Sequence, residues 1–244
     1  MKDEIIGWIR DYFEKNGKNC KAVVGISGGK DSSVCAALLV EALGRNRVVG
    51  VLMPQGVQHD IDVARALADF LKIERYEINI GEVYENLVEA VAADGKIDRE
   101  SIKSNKAFRS NTPARIRMSV LYGISALVGG RVVNTCNRSE DYVGYSTKYG
   151  DSAGDFSPIS DLLVCEVKKL GYELGLPSKF IEKTPEDGLS GKSDEDNMGF
   201  TYAVLDRYIS TGEIDDPETK RKIDSMHAAN LHKLLPMPSF KKKR

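Results

Sequence analysis

The chain has 244 residues, which is enough for one buried core with a small appended segment. Its net charge of −1 gives no broad attraction to nucleic acid or membranes, and its 41% hydrophobic and 29% charged residues are typical of globular proteins. No apolar run is long enough to span a bilayer, and the four cysteines are scattered without a C-x-x-C pair. We therefore expect a cytoplasmic protein with reduced thiols that binds neither nucleic acid nor membrane.

Helical and strand-like patterns alternate along the first half of the chain. Residues 2–15 place apolar side chains on one helical stripe. Further along, Thr112 has the character of a helix N-cap, with Pro113 at the first helical position. The helix predicted at 81–93 carries apolar residues at helical spacing, namely Val83, Leu87, Val88 and Val91. Together the patterns predict strands at 21–26, 47–53, 75–80 and 131–135, and helices at 31–43, 59–72, 81–93 and 113–128.

This alternation predicts an α/β fold, a doubly wound parallel sheet of the Rossmann-like kind with helices on both faces. We expect one domain over 1–244, with a core at 20–176 and a helical C-terminal section at 177–240. Ligands of such sheets lie beyond the carboxyl ends of the strands. The turn after the first strand and residues 135–140 both follow strand ends, so they should face the same crevice.

The segment that follows the first strand predicts an anion site. The strand ends in a Ser27-Gly28-Gly29 turn, and a helical pattern begins at about Asp31. Backbone N–H groups of the turn and the helix N terminus then converge on one small volume, which phosphate usually occupies. The candidate nucleotide-binding residues are Gly25, Ile26, Ser27, Gly28, Gly29, Lys30, Asp31 and Ser32.

Two common phosphate loops do not fit this segment. A Walker A loop needs glycine where Val24 stands, and Ser or Thr where Asp31 stands. The dinucleotide fingerprint fails because Ser27 occupies its second glycine position. The remaining pattern, S-G-G-x-D-S, resembles the pyrophosphate loop of the ATP pyrophosphatases. The alternative is an ordinary glycine turn capped by Asp31 and Ser32; we favour the nucleotide loop, with ATP as the ligand.

A second series of motifs narrows the resemblance. The chain carries Ala114-Arg115-Ile116-Arg117-Met118, Asn134-Thr135-Cys136-Asn137-Arg138-Ser139-Glu140 and Gly144-Tyr145-Ser146-Thr147-Lys148-Tyr149-Gly150-Asp151. Together with the first loop, this series is similar to the ammonia-dependent NAD synthetases over about residues 20–175, and more weakly towards the C terminus. The resemblance implies ATP-dependent amidation of deamido-NAD by ammonia. An NAD-adenylate forms first, with release of pyrophosphate, and AMP leaves when NAD forms.

The same resemblance implies roles for individual residues. It places Mg²⁺ on Asp31 and Glu140, ATP on Thr135, and catalytic roles on Asp151 and Lys148, with Asp151 holding or deprotonating the incoming ammonium. The residues implied for deamido-NAD are Arg115, Lys148, Asp155, His232 and Lys233. From the residues alone, Asp31 also suits a helix cap, Glu140 a surface carboxylate and Arg115 a surface ion pair.

The chain departs from the family pattern at two ATP contacts. Val164 stands where the family usually has a phosphate-binding lysine, and Lys168 or Lys169 is the expected substitute. Glu186 stands where the family has serine or threonine, and Lys192 or Ser190 is the expected substitute. Lys30 occupies the variable position of the first loop, where it could simply point to solvent.

Several broader expectations complete the interpretation. We expect no glutaminase domain, so ammonia is free or comes from a separate subunit. By resemblance we expect a homodimer, with helix 113–128 at the interface. The length of the loops at 146–157 and 183–197 is typical of functional or mobile segments, such as the lids of ATP sites. Two alternatives stay open: another AMP-forming ligase, GMP-synthetase-like or tRNA-modifying, and a non-catalytic nucleotide-binding regulator.

Overall fold

The computed structural model describes residues 1–183 and 193–242. Within them, four strands form one sheet, namely β1 (Lys21–Gly25), β2 (Val48–Leu52), β3 (Glu74–Glu77) and β4 (Gly130–Val132). The order across the sheet is β3-β2-β1-β4, and each neighbouring pair is parallel. Val23 on the central strand β1 is opposite both Val49 and Val132. The predicted parallel sheet is confirmed.

The helices of the described residues connect these strands and extend beyond them. Those of the first half are α1 (Lys2–Asn16), α2 (Lys30–Leu43), α3 (Ile61–Leu71), α4 (Gly81–Ala92), α5 (Arg99–Ser104) and α6 (Lys106–Val128). Those that follow are α7 (Arg138–Val143), α8 (Val164–Glu173), α9 (Ser178–Ile181), α10 (Asp194–Met198), α11 (Tyr202–Thr211) and α12 (Pro217–Leu234). No helix of residues 1–183 and 193–242 is long and apolar enough to cross a membrane.

Alternate side chains of the sheet enter two different cores, so both faces are covered. Ala22 and Val24 pack with α1, α2 and α8 on one face. Val23 and Val132 pack with Met118 and other residues of α6 on the opposite face. Strands buried on both sides are continuous apolar runs, as β2 is over its whole length. This arrangement confirms the doubly wound α/β class.

The long helix α6 begins earlier than the sequence pattern predicts. Its N-cap is Asn105, whose side chain accepts a hydrogen bond from the Phe108 N–H, and Pro113 lies inside the helix. The predicted cap at Thr112 is therefore wrong. Proline removes one helical N–H, and its would-be acceptor, the carbonyl of Arg109, belongs to an exposed residue and can bond to water instead. Helix α5 is an element that the pattern did not predict.

The chain after β4 positions the second half of the site. Val133 forms an isolated parallel bridge with Phe156, so the irregular segment between α7 and α8 folds back beside β4. A separate cluster joins Val143 and Val164 to residues of α10, α11 and α12. The C-terminal helices thereby lie next to the carboxyl end of the sheet.

Candidate active site

The loop between β1 and α2 has a conformation that requires glycine. Gly28 has φ +78°, and a Cβ there would meet the Ala64 N at 3.0 Å and the Val63 side chain at 3.2 Å. The N-cap of α2 is Gly29, which has no side chain that could cap the helix. Asp31 and Ser32, the caps that the alternative of an ordinary glycine turn required, therefore do not occupy the cap position. The first N–H groups of α2 face the turn, as an anion site requires.

Serine hydroxyls hold this loop in shape. The Ser27 and Ser32 Oγ atoms are 3.1 Å apart, and the Gly29 N–H donates to the Ser27 Oγ at 3.2 Å. Ser33 Oγ donates to the Gly29 carbonyl at 2.8 Å. The loop is thus already ordered by its own hydrogen bonds, which lowers the entropic cost of binding a ligand.

Asp31 and Glu140 meet at the carboxyl end of the sheet, as their positions after two strands predict. Asn137 joins them: its Nδ2 donates to the Asp31 Oδ1 at 2.9 Å, and its Oδ1 accepts from the Glu140 N–H at 3.0 Å. Asn137 is fully buried and caps α7. Sequence reasoning missed this residue, although Asn137 three residues before Glu140 matches the pattern of a capping box.

The ammonium of Lys30 lies between the two carboxylates. Its Nζ is 2.8 Å from the Asp31 Oδ2 and 3.6 Å from the Glu140 Oε1, and it lies 5.4 Å from the centroid of the Tyr202 ring. The Lys30 side chain is only 2% exposed, so the expectation that it points to solvent is wrong. Tyr202 comes from α11, far along the chain, and no local pattern reveals the contact.

Burial and charge shift the pKa values of this group in consistent directions. Desolvation lowers the pKa of Lys30, but Asp31 and Glu140 outweigh it and raise that pKa above its ordinary value. Desolvation, together with the neighbouring Asp31 charge, raises the pKa of Glu140, and Lys30 only partly opposes this. Two carboxyl groups that face one ammonium could both ionise fully beside a further cation, which would lower the pKa of Glu140 again.

The residues present fit a magnesium ion that nucleotide phosphates help to bind. Mg²⁺ usually takes one or two carboxylates, with water and phosphate oxygens completing its shell. Asp31 and Glu140 are two such carboxylates, and both already share one cation. No group of three His, Cys, Asp or Glu residues in the described parts of the chain could hold a metal by itself. A metal here would depend on the substrate for the rest of its ligands.

The Thr147–Asp151 turn forms a second half of the site beside β4. The Thr147 N–H donates to the Asp151 Oδ1 at 2.9 Å, and the Asn134 Nδ2 donates to the Asp151 carbonyl at 2.9 Å. Asp151 is exposed, yet desolvation by the surrounding protein raises the pKa of its carboxyl.

The last turn of α12 contacts this turn and brings together four of the predicted substrate residues. The Lys148 Nζ donates to the His232 carbonyl at 2.6 Å, and the Lys233 Nζ donates to the Gly144 carbonyl at 2.7 Å. The Arg115 Nε donates to the Lys148 carbonyl at 3.3 Å. Among the hydrogen bonds of the described residues, the His232 ring makes one within its own helix, where its Nδ1 lies 3.1 Å from the Ala229 carbonyl oxygen.

Asp155 and Thr135 lie in the same region with different surroundings. Both carboxylate oxygens of Asp155 are engaged inside the chain, by the Val132 N–H at 2.7 Å and the Tyr122 hydroxyl at 3.2 Å. Thr135 is half-buried just beyond the end of β4. Asp155 thus has an evident structural role in joining α6 to β4, in addition to any contact with substrate.

Two cavities flank these groups. One, of about 300 Å³, is lined by Lys30, Val164, Lys168, Lys183 and Asp194 among others. The other, of about 250 Å³, is lined by residues near Asp151, among them Asn134, Asp141, Asp155 and Lys233. Lys168, an expected substitute for the absent lysine at 164, does line the first cavity, whereas Lys169 is not among its lining residues. Glu186, Ser190 and Lys192 lie outside the described residues.

Comparisons with known proteins agree with this geometry. The family model described as NAD synthase matches residues 1–244. An NH(3)-dependent NAD(+) synthetase of Alkaliphilus metalliredigens is 35% identical over 243 residues, covering 98% of this chain and 97% of that protein. A protein of the same name from Methanococcoides burtonii is 41% identical over 211 residues, covering 85% and 77%.

Solved structures show the same likeness in three dimensions. An NMN synthetase from Francisella tularensis matches with a TM-score of 0.86 and 32% identity, over 98% of this chain and 97% of that one. An NH3-dependent NAD synthetase from Campylobacter jejuni matches with a TM-score of 0.74 and 28% identity, over 99% of each chain. Because the family model matches residues 1–244 and relatives more than 30% identical cover most of the chain, the chain belongs to the NAD synthase family.

Proposed function

We propose that this protein is an ammonia-dependent NAD synthetase, a ligase that forms the carboxamide of NAD from deamido-NAD, ATP and ammonia. One observation carries the proposal: Asp31 and Glu140 converge next to the Ser27–Ser32 loop in a chain that the family matches from end to end. The observation supports ATP activation of a carboxylate at this place in the fold.

The chemistry has two steps. In the first, a carboxylate oxygen of the nicotinate attacks the α-phosphorus of ATP, the bond to the β-phosphate breaks, and pyrophosphate leaves. In the second, ammonia attacks the acyl carbon, the bond to the AMP oxygen breaks, and the nitrogen loses a proton. Charge accumulates on pyrophosphate in the first step, so aligned N–H donors at the start of α2 stabilise it. Mg²⁺ bound by Asp31 and Glu140 would neutralise further charge on the phosphates.

The region near Asp151 suits ammonium and deamido-NAD, the two substrates other than ATP. Asp151 would hold the incoming ammonium and accept its proton, since free ammonia is the nucleophile. Lys148, Lys233 and Arg115 supply positive charge for the phosphates of a dinucleotide, and His232 lies at the same edge. We assign deamido-NAD to this region on these grounds.

A second candidate differs only in the acceptor. The Francisella protein, an NMN synthetase, has a TM-score of 0.86 with this chain, above the 0.74 of the Campylobacter NAD synthetase. An enzyme that makes NMN by this chemistry would amidate the nicotinate carboxylate of the mononucleotide. The reacting carboxylate is the same in both cases, so the Ser-Gly-Gly loop serves either substrate.

Comparing the two acceptors tests the proposal. The purified protein is incubated with ATP, Mg²⁺ and ammonium, and with either deamido-NAD or nicotinate mononucleotide, and products are separated by liquid chromatography. We expect kcat/KM at least tenfold higher for deamido-NAD. A preference for the mononucleotide would favour the second candidate, and no amide from either would reject both.

The proposed assembly is a homodimer. On α4, Val83 is 48% exposed, Leu87 39% and Val91 36%, and these three residues repeat every fourth position on one face. Only Val88 and Tyr84 of this helix are buried. Next to α4, the helix α6 exposes Leu127 to 83%. A second copy of the chain would cover this stripe together with exposed residues of α6, the helix that the sequence favours for the interface, since only six of the 23 residues of α6 are buried.

A further inference from the structure

Lys30 is in an unusual place for a lysine. It is the first residue of α2, where the helix dipole disfavours positive charge, and its side chain is almost fully buried. Its ammonium is retained there because Asp31 and Glu140 lie 2.8 and 3.6 Å away. Asp194, in α10, adds a further negative charge close enough to act on Lys30. The lysine therefore serves as a built-in counter-ion for a carboxylate cluster.

The oxygens that Lys30 contacts are those that would hold a metal. A divalent ion at Asp31 and Glu140 would bring two positive charges to within a few ångströms of the ammonium, and like charges at that distance repel strongly in a desolvated site. The carboxylate oxygens also have a limited number of lone pairs, and those that face the Lys30 ammonium are the ones that the metal would need. Metal and lysine therefore compete for the same two side chains.

The neighbouring cavity offers the lysine another position. Lys30 lines the cavity of about 300 Å³, and its flexible four-carbon stem lets the ammonium move towards it. The other two lysines on that wall are already paired, Lys168 with Glu182 at 2.6 Å and Lys183 with Asp60. Val164 lines the same wall and provides no charge. Asp194, Glu195 and Asp206 line the cavity as well. An anion there would therefore depend on the ammonium of Lys30, which the metal releases, to offset their charge.

We propose that Lys30 is a tethered cation that occupies the Asp31–Glu140 pair in the metal-free protein and, when Mg²⁺ takes the pair, turns into the cavity to bind the nucleotide's phosphates. The inference rests on the proposed function, because it needs both metal and ATP at this loop. Metal and nucleotide then strengthen each other's binding by the same factor, as linkage requires.

Mn²⁺ titration followed by electron paramagnetic resonance of the free ion tests this exchange. Wild type and Lys30→Met are titrated with and without a non-hydrolysable ATP analogue. Without nucleotide, Lys30→Met should bind Mn²⁺ at least tenfold more tightly, because the competing ammonium is gone. With Mn²⁺ present, Lys30→Met should bind the ATP analogue at least tenfold more weakly than wild type does. Lys168→Met, which removes an ammonium from the same wall but not from the carboxylates, should bind free Mn²⁺ as wild type does.

Thermal unfolding gives a second readout, because Lys30→Met leaves carboxylates without their counter-ion and should melt at a lower temperature than wild type. Mg²⁺ should then raise its melting temperature more than that of wild type. Equal Mn²⁺ affinities in the two proteins, or equal Mg²⁺-dependent shifts, would overturn the role of Lys30 and leave the proposed function intact. No Mn²⁺ binding by either protein, even with the analogue, would reject the metal site and with it both proposals.

Discussion

At the level of single residues, two carboxylates near β4, Asp151 and Asp141, have different surroundings. The Asp151 carboxylate receives the Thr147 N–H, whereas the Asp141 Oδ1 is buried and has no hydrogen-bond partner among the described residues. Desolvation, together with the charge of Asp151, raises the pKa of Asp141 to about 6. Asp141 is thus a destabilising group near neutral pH, beside a carboxylate that the proposed chemistry needs.

Asp141→Asn should stabilise the protein at pH 7 but not at pH 4. Between 3.8, the ordinary pKa, and about 6, the folded protein binds a proton that the unfolded chain does not, so stability falls as pH rises through this window. Asparagine does not ionise, so the variant avoids this loss of unfolding free energy, which is about 1–2 kcal/mol after allowing for partial solvent screening. Urea unfolding at both pH values measures it. An equal gain at both would contradict the account, and Asp161→Asn, at an exposed carboxylate, should change little at either pH.

Asp151→Asn should impair amide formation more than pyrophosphate release. The amide oxygen can still accept the Thr147 N–H, so the turn keeps its shape while the charge that would hold ammonium is lost. We expect the yield of amide per pyrophosphate released to fall at least tenfold, about 1.4 kcal/mol of transition-state stabilisation. Rapid-quench measurement of both products decides it, with Asp161→Asn as the control. Equal losses in both steps would remove the role of Asp151.

At the level of elements, the end of α12 is hydrogen-bonded to the turn that carries Lys148, a proposed substrate residue. The Lys233 Nζ donates to the carbonyls of Gly144 and Ser146, and the Lys148 Nζ donates to the carbonyl of His232. Desolvation lowers the pKa of Lys233, although the Asp151 charge opposes this. These hydrogen bonds therefore join a helix far along the chain to a turn next to β4.

Lys233→Met should loosen this connection without unfolding the helix. We expect faster amide hydrogen exchange over 144–151 and a KM for the nicotinate substrate raised at least tenfold. The matched control is Lys220→Met on the same helix, where the lysine pairs with Asp224 at the surface. It should leave exchange over 144–151 and KM unchanged. Unaltered exchange in Lys233→Met would mean that α12 does not hold the turn.

The elements also show what the sequence could and could not predict. The pairing of Asp31 with Glu140 was predictable, because strand ends of a parallel sheet share one edge. The start of α6 was not, because Pro113 favours a first-turn position yet is tolerated inside this helix, which Asn105 already caps. The burial of Lys30 also escaped prediction, since it depends on Tyr202 from a distant helix.

At the level of the whole molecule, α4 presents an exposed apolar stripe. Val83, Leu87 and Val91 share one face of a helix that packs on α5 and α6. Exposed apolar stripes of this kind commonly mark contact with another protein. A homodimer would cover the stripe with the same stripe of a second copy, if the two-fold axis passes near it.

Leu87→Asp with Val91→Asp should convert a dimer into monomers, because four carboxylates would then face one another across the interface. Analytical ultracentrifugation should give twice the chain mass for wild type and the single chain mass for the double variant. The control is Val57→Asp, at a residue that is 90% exposed outside the stripe, which should leave the dimer intact. A monomeric wild type, or a double variant that stays dimeric, would contradict this interface.

In the proposed reaction, ATP bound at the Ser-Gly-Gly loop activates a nicotinate carboxylate by transfer of AMP. The most direct test uses deamido-NAD with ¹⁸O in both carboxylate oxygens, together with ATP, Mg²⁺ and ammonium, and mass spectrometry of the products. The account predicts one ¹⁸O atom in AMP, one in the amide of NAD and none in pyrophosphate. Label in pyrophosphate or phosphate, or AMP without label, would contradict it.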